Sequence, residues 1–227
     1  MLAATLAAQT PPHGFQPDID ILQRFLTRAE PPLARYLAAR RLEARNDRFK
    51  ATGWLEACTE LSPETGFQYR VMAEHGNGLI RKRVLKRALE TEREARAKGE
   101  TDRSSIGAEN YDFRVSEESD GELVKVLIKA RRRSSLLVDG AMFLSRSDGD
   151  LVRVEGQLAA SPSFWTRRAT IVRRYERVAG VRVPVSLEST AEVRLARPSS
   201  FRMIYHYFSI NGQDLPEGGA PCAVRPG

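Results

Sequence analysis

Histidine is scarce in this chain. His13, His75 and His206 are the three in 227 residues, and they stand far apart. None has metal-ligand spacing to another, and His206, between Tyr205 and Tyr207, reads as a histidine satisfied within a sheet. No H-E-x-x-H, C-x-x-C or G-x-S-x-G occurs, so the short signatures of zinc proteases, thiol redox proteins and serine hydrolases are missing. The run His75-Gly76-Asn77-Gly78 lacks the G-K-[ST] ending of a phosphate-cradling loop and reads as a strand-to-helix turn. Acidic residues are numerous but fall on alternating wet faces, with no carboxylate pair set apart for acid–base work. We expect no catalytic residue, no metal and no cofactor.

Long apolar runs are also missing: none approaches the ~18 residues of a membrane-crossing helix. Lysine is rare, 6 against 30 arginines in a net charge of +7. That balance permits acidic partners, yet most arginines lie on the polar side of alternating segments, and only Arg131-Arg132-Arg133 cluster without a gap. Phe164-Trp165-Thr166-Arg167-Arg168 mixes aromatics with arginine as single-strand nucleic-acid binders do, but it is a single cluster, and no nucleic-acid partner is expected.

Two cysteines, Cys58 and Cys222, leave two readings open: a bridge clipping the tail to the sheet in an oxidising compartment, or two free thiols. The opening M-L-A-A-T-L-A-A-Q-T-P-P, short and apolar with small residues, resembles the end of a secretory signal without its basic start. Export, to the periplasm or beyond, is therefore expected. With it, the otherwise unanchored tail favours the bridge. Residues 1–14 read as a signal remnant or disordered terminus, 15–212 as one domain, and 213–227 as an irregular tail. No internal repeat or long linker divides the chain.

What the sequence does have is alternation. From Val181 to Leu195 the odd positions are Val181, Val183, Val185, Leu187, Ala191, Val193 and Leu195 with Ser189, while the even ones are mostly charged or polar. Successive strand side chains point to opposite faces, so this is one long strand with a dry and a wet face. Pro184 within it cannot donate to a ladder and suggests an edge, a strand start or a bulge. Phe201–Ile210 follows closely and should pair with it antiparallel. Further alternating runs fall around Leu55–Leu61, Phe67–Ala73, Tyr111–Val115, Val124–Ile128, Met142–Leu144, Val152–Leu158 and Phe164–Val178. Asp120-Gly121, Asp139-Gly140 and Asp148-Gly149 between them read as hairpin turns.

Two segments carry a helical period instead. Ile19, Ile21, Leu22, Phe25 and Leu26 make a stripe over 18–29, with Asp18 as cap and Pro31-Pro32 as stop. After Gly78, Leu79, Ile80, Val84, Leu85, Ala88 and Leu89 recur opposite Arg81, Lys82, Arg83, Lys86 and Arg87. This helix is basic first and Glu-rich later, against its macrodipole, so packing on the sheet must hold it. The fold class is α+β: a curved antiparallel sheet with an N-terminal helix and a central amphipathic helix packed in its concave face. So few helices cannot cover so many strands, and the uncovered part is either an apolar hollow or filled by side chains.

At Asp150-Leu151-Val152-Arg153-Val154-Glu155-Gly156 and again at Arg177-Val178-Ala179-Gly180-Val181-Arg182-Val183-Pro184-Val185, the chain resembles the LolA-like superfamily of periplasmic lipoprotein-sorting proteins. Gly180 and Pro184 match that family's valine-x-glycine-x-x-x-proline. The resemblance covers about residues 18–210 in order of elements. It implies an unclosed half-barrel with helices in its mouth and non-catalytic binding of lipid or lipoprotein acyl chains. An envelope protein partner, as for a stress sensor without bound lipid, is the alternative. The chain departs from the pattern in a longer, more basic central helix and a cysteine-bearing tail. Residues expected to line the hydrophobic cavity are Trp54, Tyr69, Val71, Ile80, Val84, Leu85, Leu89, Val154, Val183, Val185, Leu187, Val193, Met203 and Tyr205.

Overall fold

The computed structural model describes residues 16–99, 105–118, 121–161, 166–193, 199–216 and 222. Helix α1 (Gln16–Thr27) is followed by three strands, β1 (Tyr36–Asn46), β2 (Ala51–Ser62) and β3 (Gly66–Gly76). A second helix, α2, spans 78–97. Strands β4 (Tyr111–Val115), β5 (Leu123–Ala130), β6 (Val138–Ser145), β7 (Leu151–Leu158), β8 (Thr166–Val178), β9 (Val181–Val193) and β10 (Ser199–Ile210) follow, then a two-residue β11 (Gln213–Asp214). All pair antiparallel in the order β3-β2-β1-β10-β9-β8-β7-β6-β5-β4, with β11 on β10. The edge strands β3 and β4 do not meet, so the sheet is an unclosed half-barrel. Its one long crossing, from β3 to β4, carries α2 over the concave side.

Each helix covers one wing. On the β1–β3 wing, Leu85 and Leu89 of α2 are fully buried in one cluster with Leu42, Leu55, Met203 and Tyr207. On the β4–β7 wing, Ile21, Leu22 and Phe25 of α1 bury against Val124, Val126, Met142 and Val154. Asp18 is no cap. It lies inside α1, buried, and accepts from the Arg146 guanidinium in the β6–β7 turn. That pair locks the helix to the sheet.

The central helix departs from a regular period. Arg81–Lys86 is a π-helical turn between two α-helical segments, Gly78–Ile80 and Arg87–Ala97. A π turn closes i→i+5 rather than i→i+4. The buried line therefore steps five residues from Ile80 to Leu85 and four from Leu85 to Leu89. Val84 is rotated outward and is 40% exposed, contrary to the stripe expected of a regular helix. The Asn77 side chain accepts from the amides of Leu79 and Ile80 and caps the start.

Asp139-Gly140, expected as a hairpin turn, instead lies inside β6. The β5–β6 connection is the segment 131–137. Asp139 accepts from the Ala130 amide at 2.8 Å, and Gly140 faces Gly156 of β7 so closely that a Cβ on either would meet backbone at under 2.3 Å. A glycine there serves close strand approach rather than a turn. In β9 the alternation of Val181 and Val183 stops at a bulge. Tyr175 of β8 pairs with Pro184 and Arg174 with Ser186, leaving Val185 unpaired. Past Ser186↔Ile204, β9 and β10 no longer pair.

The tail is not wholly irregular. Beyond β11, buried Cys222 forms a disulfide with Cys58, with a Cα–Cα distance of 5.4 Å, so the bridge reading holds. The strand expected to reach Leu195 extends past the described residues, which end at Val193 on that side.

Candidate functional site

Between the two helix-covered wings, the middle of the concave face lies open. The register explains its chemistry. One row of cross-strand neighbours runs Val115, Val126, Met142, Val154, Arg173, Leu187, Met203, Leu42 and Leu55. Every member is apolar except Arg173. Neighbours along β8 on the same face are Ile171 and Tyr175, and together with Tyr111, Val138, Leu158, Ser189 and Phe201 they line a hollow of about 320 Å³. Leu136, 42% exposed, stands at its margin in the β5–β6 connection.

Arg173 pairs with no carboxylate among the described residues, and its Nε is sealed from solvent without a hydrogen-bond partner. The Tyr175 oxygen beside it raises its pKa above the ordinary arginine value, burial opposes this, and Tyr205 adds to the rise. The guanidinium is therefore charged at every working pH. Its surroundings are hydrocarbon and phenol: it shares a hydrogen bond with Tyr175, and the Glu92 carboxylate, though bonded elsewhere, is near enough to add to the same rise.

Arg40, 2% exposed, shows the contrasting case. It donates to both Glu92 oxygens, at 2.5 and 3.1 Å, and to Tyr36 Oη at 2.5 Å. Its guanidinium also lies 4.6 Å from the Tyr205 ring centre and 5.1 Å from that of Phe67. Arg96 donates to Glu92 from one turn along at 3.0 Å. Burial works against the Glu92 charge, but Arg40 and then Arg96 outweigh it and hold the carboxyl at about 2. Burial pushes the Tyr36 phenol up to about 12. The carboxylate is thus committed within this network, and Arg173 is left without one.

The fourteen residues expected to line a cavity divide sharply. Val154 and Leu187 do line the hollow. Ile80, Leu85, Leu89, Val183 and Met203 are buried in the packed β1–β3 wing, with Tyr69 and Val71 against it. Tyr69 Oη donates to Glu90 at 3.2 Å. Tyr205 stacks on Tyr207 with centroids 6.1 Å apart. Val84 is exposed and is not among the residues lining this hollow. Trp54 belongs to the opposite face, where Arg41 lies 4.5 Å over its ring. Val185 is the bulge residue, and the side chain of Val193 lies outside the described residues. Helix α2 therefore fills its own wing. Arg173, Tyr175, Ile171 and Phe201 were missed, although β8 carries the signal: Ile171, Arg173 and Tyr175 alternate on one face. Phe164 and Trp165, the aromatic half of the nucleic-acid reading, lie outside the described residues.

Two further hollows are larger. One of about 600 Å³ runs over β8, β9, β10, β1 and β2 and includes Glu43, Trp54, Glu188 and Arg202, mutual cross-strand neighbours on the opposite face. Another of about 540 Å³ lies over the disulfide, with Met72, Ile204, His206 and Phe208. No helix among the described residues is long and apolar enough to cross a membrane.

No family model matches the chain, and no curated protein is similar to it. Among solved structures it is similar to a LolA superfamily protein from Nitrosomonas europaea, at 11% identity over 88% of this chain and 94% of that one, with a TM-score of 0.39. At that score the likeness adds nothing to the reading of the site, which rests on the hollow itself.

Proposed function

We propose that this protein binds a hydrophobic ligand, a lipid or a lipoprotein acyl chain, without catalysis, in the concave hollow between its two helix-covered wings. The observation that carries this reading is the floor: a row apolar but for Arg173, left uncovered in the middle of a sheet whose flanks are both packed. Buried area of this kind is ordinarily either filled by side chains or kept for a ligand. The volume, about 320 Å³, is at the small end of the roughly 300–1,000 Å³ of single-ligand sites and suits one chain rather than several. The Cys58–Cys222 bridge supports an oxidising compartment such as the periplasm, where disulfides persist.

The test is native mass spectrometry of the protein released gently from its own cell envelope, with uptake of a neutral pyrene-labelled alkane by the purified chain. A bound lipid mass and saturable uptake are expected, and Ser189→Trp, which fills the hollow, should abolish the uptake. Ligand-free protein together with no uptake overturns the reading. A second reading, an envelope interaction or sensor module, draws on the apolar groove over the disulfide, where Met72 and Ile204 are both exposed. A partner that protects Met72 and Ile204 from labelling while the hollow stays empty would favour it.

A further inference from the structure

Arg173 is out of place in a site meant for hydrocarbon alone. Its cross-strand neighbours are Val154 and Leu187, and Ile171 precedes it on the same face. A charge in such a position is costly unless it is paired. Other buried or half-buried arginines of this protein are paired: Arg40 with Glu92, Arg146 with Asp18, and Arg28 with Asp150. Arg173 has no such partner among the described residues, and the one carboxylate of the neighbouring network is already taken by Arg40 and Arg96. The Tyr175 phenol beside it adds an O–H that can donate to an anion.

We infer that the hollow selects a single-chain amphiphile with an anionic head, a carboxylate or a phosphate monoester, held by Arg173 and Tyr175 while its chain lies along Val154, Leu158 and Ile171. The inference rests on the hollow being a lipid site, as proposed above. Guanidinium and carboxylate match as a planar, charge-assisted pair, and a phosphate monoester offers the same oxygens. The pair forms in surroundings poor in water, where its discrimination against an uncharged head is largest. A neutral head of the same length would leave Arg173 unpaired, and a cationic head would be repelled.

Calorimetric titration of the purified chain with dodecanoate, dodecyl phosphate, dodecanol and dodecylamine, each below its micellar range, decides the matter. We expect at least one of the two anions to bind about tenfold or more tightly than dodecanol, and dodecylamine to bind more weakly still. The preferred anion identifies the head. Arg173→Gln should erase the preference, and Arg173→Lys should restore part of it. Equal affinities for dodecanol and both anions in the unaltered chain overturn the inference while leaving the lipid site standing. Failure of all four to bind removes the lipid site itself. Melting curves establish that each variant is folded, and if Arg173→Gln is not, the four-ligand comparison on the unaltered chain is decisive.

Discussion

Arg40 on β1 and Glu92 on α2 form a bidentate pair across the concave face, with nitrogen–oxygen distances of 2.5 and 3.1 Å. Helix α2 runs basic to acidic and so opposes its own macrodipole. What holds it is the sheet: Ile80, Leu85 and Leu89 by burial, and Glu92 by this pair.

The pair makes stability depend on acid. The folded Glu92 carboxyl lies at about 2, below its ordinary 4.5. Its contribution is therefore complete above about pH 4.5 and is lost as pH falls through 4.5 towards 2. The difference corresponds to about 3 kcal/mol. Glu92→Gln leaves Arg40 buried without its counter-charge and should cost about 3–5 kcal/mol at pH 7. Its melting temperature should then fall less between pH 5 and pH 2.5 than that of the unaltered protein. An unchanged acid slope in the variant would show that Glu92 does not carry the effect.

Much of the sheet was legible because alternation and turn chemistry are local. The strands of the β8–β9–β10 meander, the helix over 78–97 and the antiparallel pairing of β9 with β10 all follow from periods of two and of about four. The site was less legible because its composition is set by register. Nothing in the spacing of β8 says that Arg173 will face Val154 on one side and Leu187 on the other. That depends on the bulge at Val185 and on the glycine pair Gly140 and Gly156. The same is true of Val84, whose exposure follows from a π turn that a regular helical period does not encode.

That π turn gives a paired prediction. Leu85 is fully buried and Val84 is 40% exposed, although they are adjacent in sequence. Leu85→Ala should destabilise by about 2–5 kcal/mol, and Leu85→Arg by more, since it places an unpaired charge in a dry interface. Val84→Arg should stay within about 0.5 kcal/mol. Chemical denaturation of the three variants checks this. A regular α-helix through 81–86 would instead bring Val84 inward and make Val84→Arg damaging too.

The disulfide joins residues 164 apart and anchors the tail on the face opposite the hollow. Closing so long a loop restricts the unfolded chain strongly, and the Cys58→Ser, Cys222→Ser double variant should lose about 2–5 kcal/mol. At about 2–4 °C per kcal/mol for a chain of this size, that is a drop of roughly 4–20 °C in melting temperature. The unaltered protein should show a comparable drop in reductant, and the double variant none. Because Cys58 lies on the far side of β2 from Leu55 and Ala57, uptake of a hydrophobic probe should survive the substitution.

The last prediction concerns the seam between β9 and β10, where ladder pairing ends at Ser186↔Ile204. Pro184 lacks an N–H, and its bulge turns β9 away from its neighbour. One side-chain bond spans the gap that follows: the Tyr207 phenol, largely buried, donates to the Pro184 carbonyl at 3.0 Å. Burial raises the phenol's pKa, so the proton needed for donation stays in place through the alkaline range in which free tyrosines ionise. Tyr207→Phe keeps the ring's packing against Tyr36, whose centroid is 5.7 Å away, but leaves the carbonyl without this donor. The expected loss is about 1–3 kcal/mol, concentrated at the seam. Hydrogen exchange should therefore quicken in Val181–Ser186 and Tyr205–Ile210, while the β1–β2 ladder keeps its protection. Uniform acceleration across the sheet would mean that the bond serves global stability and that the seam is not a separate unit.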